Sequence, residues 1–129
     1  MINSDAFLIG TPVYRGSYSG DLKNLFDLIP RGKWQSPKAP LENRPVGLIA
    51  TGATDHHYLS IAQEMGPIIS FFGSYQVGGG VYVNSSQFED NQIIDKKIIR
   101  RLQMLAKATV ELARLIDKSS YLSKLGPQF

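Results

Sequence analysis

An open α/β sheet of parallel strands is the fold class that this sequence predicts, and three observations predict it. Short apolar runs lack the polar alternation of a half-exposed strand, the period changes to helical spacing after each of them, and the order strand-helix occurs three times. At 129 residues the chain is read as a single domain, 1–129, with one core.

The first strand is Ala6-Phe7-Leu8-Ile9-Gly10, a run with no polar interruption that reads as buried on both faces and ends in Thr11-Pro12. From Gly20, residues Leu22, Leu25, Phe26 and Ile29 recur at helical spacing until Pro30 and Gly32 stop them. Residues 30–45 hold four prolines and no period, which predicts a long surface loop. A second buried strand follows at Val46-Gly47-Leu48-Ile49-Ala50. The next helix is marked by Tyr58, Ile61, Ala62, Met65, Ile69 and Phe72, with Thr54 or Asp55 as N-cap, a kink at Pro67 and a stop at Gly73. Val77 to Val83 reads as the third strand, its three glycines allowing close packing. Ile94, Ile98, Leu102, Leu105, Thr109, Leu112 and Ile116 then step by three or four residues along an amphipathic helix. The tail 119–129 is expected to be loose.

Composition removes several function classes. Zero cysteines exclude disulfides, thiolate metal sites and thiol nucleophiles, in keeping with a cytoplasmic address. No apolar run reaches membrane-spanning length, and the first residues show no basic head with an apolar stretch, so no membrane or secretory role is expected. Asn84-Ser85-Ser86 fits the glycosylation pattern, which carries no weight without a secretory route. A net charge of +3 is too small to argue nucleic-acid binding but suits phosphate-bearing ligands. The basic stripe of Lys96, Lys97, Arg100 and Arg101 reads as a solvent face, because no aromatics are interleaved with it.

In an open α/β sheet the ligand sits beyond the carboxyl ends of the strands, which brings two segments into play. Thr11-Pro12-Val13-Tyr14-Arg15-Gly16-Ser17-Tyr18-Ser19-Gly20 is rich in backbone able to approach a flat ligand. Thr51-Gly52-Ala53-Thr54-Asp55-His56-His57 adds small polar residues ahead of a helix, with His57 in reach of the same ligand. Adjacent histidines at 56 and 57 diverge in direction and no H-x-x-x-H spacing exists, so no metal site is expected. The centre of Gly16-Ser17-Tyr18-Ser19-Gly20 is tyrosine where a nucleophile elbow needs serine, which argues against hydrolase chemistry. Arg15 reads equally as a phosphate contact or a solvated side chain. Trp34 reads as packing at an interface or under the long loop, ahead of stacking on nicotinamide.

The first segment, with Leu22-Lys23 and Asp27 behind it, resembles the motif after strand 3 of the NAD(P)H-dependent FMN reductases, and within them it is most similar to the flavin reductases of two-component sulfonate monooxygenases. Ala50-Thr51-Gly52-Ala53-Thr54 followed by His57 resembles the Ala-Thr-Gly-Gly-Ser-x-x-His segment after strand 4, departing at Ala53 and Thr54. Phe71-Phe72-Gly73 and Gly80-Val81-Tyr82 fit the family's later part. The resemblance implies a partial flavodoxin-like open parallel sheet, holding strands 3–5 of a 2-1-3-4-5 order with their helices. It also implies hydride transfer from NAD(P)H to FMN, with the chemistry carried by the flavin and no catalytic side chain.

Carried over residue by residue, the resemblance assigns Thr11, Pro12, Val13, Tyr14, Arg15 and Ser17 to one side of the flavin ring and Thr51, Gly52, Ala53 and His57 to its pyrimidine end. Tyr18 matches a tyrosine at a subunit interface near the flavin. The family's strand 1, its phosphate-holding loop and strand 2 have no counterpart in the sequence. That leaves Phe7-Leu8-Ile9 on an apolar edge and leads to the expectation of a homo-oligomer, or a partner chain, covering it. A flavin-dependent monooxygenase is the implied acceptor. Two further readings stand beside the reductase: a non-catalytic remnant or interaction subunit with weak or no flavin binding, and a flavin-binding electron carrier without nicotinamide turnover.

Overall fold

The computed structural model describes Met1, residues 3–32 and residues 39–127. Its centre is β3 (Pro45–Gly52), which pairs in parallel with β1 (Phe7–Tyr14) from Phe7 opposite Val46 to Pro12 opposite Thr51. On its other side β3 meets two short parallel strands, β4 (Tyr75–Gln76) and β5 (Val81–Asn84). Of the third strand expected over Val77–Val83, only residues 81–83 are strand, and β4 is a separate short strand ahead of the expected range. Gly78 and Gly80 take φ of 57° and 72°, outside extended geometry, and lift the chain off β3 between β4 and β5. At Gly80 a Cβ would lie 2.6 Å from the Leu48 carbonyl oxygen, so no larger residue fits that return to the sheet.

Alternation along β3 divides the core. Val46, Leu48 and Ala50 face one layer, built by α1 (Gly20–Leu28), a π-helical turn (Ile61–Met65) and α2 (Gly66–Phe71). Leu22, Phe26, Ile61, Met65, Ile69 and Phe72 fill that layer. Gly47 and Ile49 face α3 (Lys96–Lys118), where Leu105 packs with Val77, Val81 and Val83. β3 has the burial that its unbroken apolar run predicts. β1 does not: as an edge strand it alternates, and Leu8 is 51% exposed.

Two elements differ from their sequence reading. The helix expected from residue 55 to Gly73 is broken into a single 3₁₀ turn (Asp55–His57), the π turn and α2. Pro67 occupies the first turn of α2, where its missing N–H costs nothing, and the wide π turn ahead of it absorbs the expected kink. Gly73, at φ 70°, ends the helix as expected.

The tail is not loose as far as Pro127. Asn43 ties it twice, its amide donating to Ser123 O at 3.1 Å and its Oδ1 accepting from Gly126 N at 2.7 Å, while the Tyr75 hydroxyl donates to Leu122 O at 2.9 Å. The α3 cap is Asp95, whose carboxylate accepts from the Lys97 and Ile98 amides. Hydrogen bonds from Gln87 first, then from those two amides, hold its carboxyl below its usual range. A small hairpin of β6 (Phe88–Glu89) and β7 (Gln92–Ile93), turning at Asp90 and Asn91 with positive φ, precedes it; the sequence reading did not include it. Trp34 lies outside the described residues.

Candidate functional site

The first site segment is a hairpin. β1 continues through Tyr14, and β2 (Ser17–Tyr18) folds back on it with Val13 opposite Tyr18 and Tyr14 opposite Ser17. Pro12 is tolerated within β1 because β2 pairs only from Val13, so that one side of β1 is open up to Pro12. The two-residue turn is Arg15-Gly16, with φ of 55° and 84°, the paired positive values that match the right-handed twist of a hairpin. Glycine accepts that geometry freely, whereas arginine there costs roughly 1–2 kcal/mol. The consequence is an exposed guanidinium at the tip of the turn.

Thr11 anchors this hairpin from behind. It is only 5% exposed, its Oγ1 donates to the Pro12 carbonyl at 2.9 Å, and it accepts from the Ser19 amide at 3.0 Å. Ser19 in turn caps α1, its Oγ accepting from Leu22 N at 3.2 Å. Val13 packs toward the α1 layer and Tyr18 lies edge-on to Phe26 at 6.2 Å between ring centroids. The residues left facing outward are Pro12, Tyr14 and Arg15, with Ser17 half-buried beside them. The Ser17 hydroxyl donates to Glu64 of the π turn at 3.2 Å, tying the hairpin to the helix layer.

The second segment leaves β3 at Gly52 and is held from one side by three residues at the end of β5. The Tyr82 hydroxyl donates to Thr54 O at 2.6 Å, Ser85 Oγ donates to Ala53 O at 2.8 Å, and Asn84 Nδ2 donates to Asp55 Oδ1 at 2.6 Å. Tyr82 lies directly over Gly52, where any Cβ would overlap its hydroxyl. Burial first, and the neighbouring Asp55 carboxylate second, push the Tyr82 hydroxyl above the ordinary tyrosine range. Together these bonds fix the carbonyls of Ala53 and Thr54 on the β5 side of the turn.

Parallel pairing brings the two segments to the same end of the sheet, since Pro12 stands opposite Thr51. They meet at His57: a Cβ on Gly16 would lie 3.7 Å from both Cε1 and Nδ1 of its imidazole. His56 turns instead toward Thr54, its Nδ1 3.3 Å from Oγ1. Of the ten residues proposed from sequence, Pro12, Tyr14, Arg15, Ser17, Thr51, Gly52, Ala53 and His57 gather on this rim. Thr11 and Val13 stand behind it, their side chains spent on internal contacts. Sequence reading passed over Glu64, Tyr82, Asn84 and Ser85. The available signal was that a third parallel strand must end at the same rim, so polar residues at its carboxyl end had to adjoin the second turn.

Comparison with known proteins adds a family to this geometry. Residues 1–89 match the family model described as NADPH-dependent FMN reductase. A relative described as an NAD(P)H-dependent FAD/FMN reductase, from Geobacillus thermodenitrificans, is 40% identical over 110 residues, which is 84% of this chain and 56% of that one. The NADH-dependent FMN reductase SfnF of Pseudomonas fluorescens is 36% identical over 109 residues, covering 84% of this chain and 54% of the relative. This chain thus spans about half the length of the curated relatives it matches. Among solved structures, an oxidoreductase from Corynebacterium diphtheriae superposes with a TM-score of 0.66 at 26% identity, covering 91% of this chain and 58% of that one. An NADH:FMN oxidoreductase in its apo form gives a TM-score of 0.67 at 23% identity over 98% of this chain and 60% of the other, a likeness of fold.

Proposed function

The chain belongs to the NADPH-dependent FMN reductase family, and from that premise we propose that its paired turns form the ring slot of an NAD(P)H-dependent FMN reductase. The observation that carries this reading is the meeting of the turns after β1 and β3, with His57 seated against Gly16. The donor set suits a flavin ring. Gly16 and Gly52 add no side chains of their own to the rim, the second turn is held in place by Tyr82, Ser85 and Asn84, and its main-chain amides would donate to a polar heterocycle edge. A bound flavin supplies the acceptor for hydride from reduced nicotinamide.

In this reading Pro12, Tyr14, Arg15 and Ser17 flank the ring on one side, with Thr11 and Val13 supporting them through the main chain. Thr51, Gly52, Ala53 and His57 border the pyrimidine end. Their task would be electrostatic: donors of the two turns and the Arg15 cation would favour negative charge on a bound flavin, and no side chain need exchange a proton. The Ser17–Glu64 bond braces the first side against the π turn, and the Tyr82, Asn84 and Ser85 bonds brace the second side against the end of β5.

The same proposal extends to assembly and place. Leu8 on the free edge of β1 favours a homo-oligomer that covers that edge, with Phe7 and Tyr18 as interface residues. The protein would work in the cytoplasm and pass reduced flavin to a flavin-dependent monooxygenase.

The test is nicotinamide oxidation with and without added FMN. FMN-dependent loss of NADH or NADPH is expected, and His57→Ala and Arg15→Ala should each weaken FMN binding by about 3–10-fold. A colourless, inactive but oligomeric protein would replace this reading with that of an interaction subunit.

A further inference from the structure

At the opposite edge of the sheet from β1, a cavity of about 440 Å³ opens between α3 and the stretch 77–81. Its floor is apolar, built by Val77, Val81, Leu105 and Ala108 with Met104 at the mouth, and Lys97, Arg100 and Arg101 stand around it. At Gly78 and Gly79 a Cβ would meet no atom within 4 Å, so that wall is open to an incoming group.

The cations are placed against local electrostatics. Positions 97, 100 and 101 share one face of the first two turns of α3, where the positive end of the helix dipole disfavours them and they repel each other. None of the three forms an ion pair among the described residues. The nearest acid in sequence, Asp95, is engaged with the Lys97 and Ile98 amides and with Gln87. An anion at the mouth relieves this repulsion, and the apolar floor behind it suits a hydrocarbon body.

We propose that this cavity binds a small amphipathic anion, an aryl or alkyl group resting on Val81 and Leu105 with a carboxylate, sulfonate or phosphate held by Arg100 and Arg101. The volume lies within the range of small-molecule pockets, roughly 300–1,000 Å³. An extended peptide is disfavoured, because Gly78 and Gly80 turn the chain out of strand geometry along the wall where a new strand would pair. None of the cavity's residues belongs to the two turns of the flavin rim, so the two sites are tested separately.

Anilinonaphthalene sulfonate is the probe, followed by fluorescence and by amide NMR shifts. Saturable binding is expected, with shifts concentrated at 77–81 and 97–108. Reversing the rim with Arg100→Glu and Arg101→Glu together, both exposed positions, should weaken binding about tenfold or more, as should removing either half of the ligand by using dodecanol or inorganic phosphate. Ala108→Trp should fill the cavity and abolish binding. FMN affinity should be unchanged in both variants. Shifts clustered elsewhere, or a probe affinity indifferent to the charge reversal, would overturn the proposal. A change of oligomeric state in these variants would assign the cavity to a contact between copies and overturn it equally.

Discussion

Gly52→Val is expected to weaken FMN binding by about 10–100-fold, although Gly52 has no side chain to offer a ligand. The reason is Tyr82. Its hydroxyl occupies the space that a Cβ at position 52 would need, and its ring carbon Cζ would stand only 3.0 Å away, so valine must displace the ring. With the ring goes the bond to Thr54 O, and the second turn loses the first of three ties to β5. A turn that must be ordered again on binding takes its ordering cost out of the affinity, and each tenfold loss corresponds to about 1.4 kcal/mol. Tyr82→Phe separates the two parts of the effect. It keeps the ring and removes only the hydrogen bond, worth about 0.5–1.5 kcal/mol, so its loss should stay within about tenfold. Flavin fluorescence titration measures both variants, and equal affinities for wild type and Gly52→Val would show that the tie is irrelevant to binding.

The largest effect on stability is expected at Gly47. A Cβ there would lie 2.9 Å from Thr109 Oγ1, 3.2 Å from Leu105 Cγ and 2.6 Å from Leu8 Cδ2. Leu8 is half-exposed and can rotate aside. Thr109 cannot: it is 2% exposed, and its hydroxyl is bonded to Leu105 O at 2.7 Å. Gly47→Val therefore lifts α3 from the sheet instead of being absorbed by one flexible side chain. Overpacking of this kind costs about 2–3 kcal/mol, which for a domain of this size lowers the melting temperature on the order of 10 °C. Calorimetry measures it, and an unchanged melting temperature would mean that α3 is not seated on Gly47 as described.

Periodicity made the sheet and its helices legible, and the reason shows in β3. Val46, Leu48 and Ala50 are buried by one helix layer while Ile49 faces the other, so polar residues are kept out of the strand until Thr51 at its rim end. The same apolar pattern in Phe7-Leu8-Ile9 misleads about β1, because sequence records which residues suit burial and not whether a neighbour arrives to bury them. Turn geometry was less legible. Arg15-Gly16 forms the hairpin turn although arginine is a poor choice for positive φ, and the glycines at 78–80 interrupt a strand that their flanking valines suggest is continuous. Strand order was enough to bring the two segments to one rim, while the residues within them were named from the family resemblance. The residues that brace them were not found, since Tyr82, Asn84, Ser85 and Glu64 reach the rim only through contacts that are remote in sequence.

The central claim is that both turns hold one planar ring. An amide NMR titration with FMN tests it most directly, because each turn reports separately. Shifts in residues 11–18 and 51–57 should rise together and saturate with one dissociation constant. Movement in only one of the turns, or two different saturation points, would contradict a shared slot.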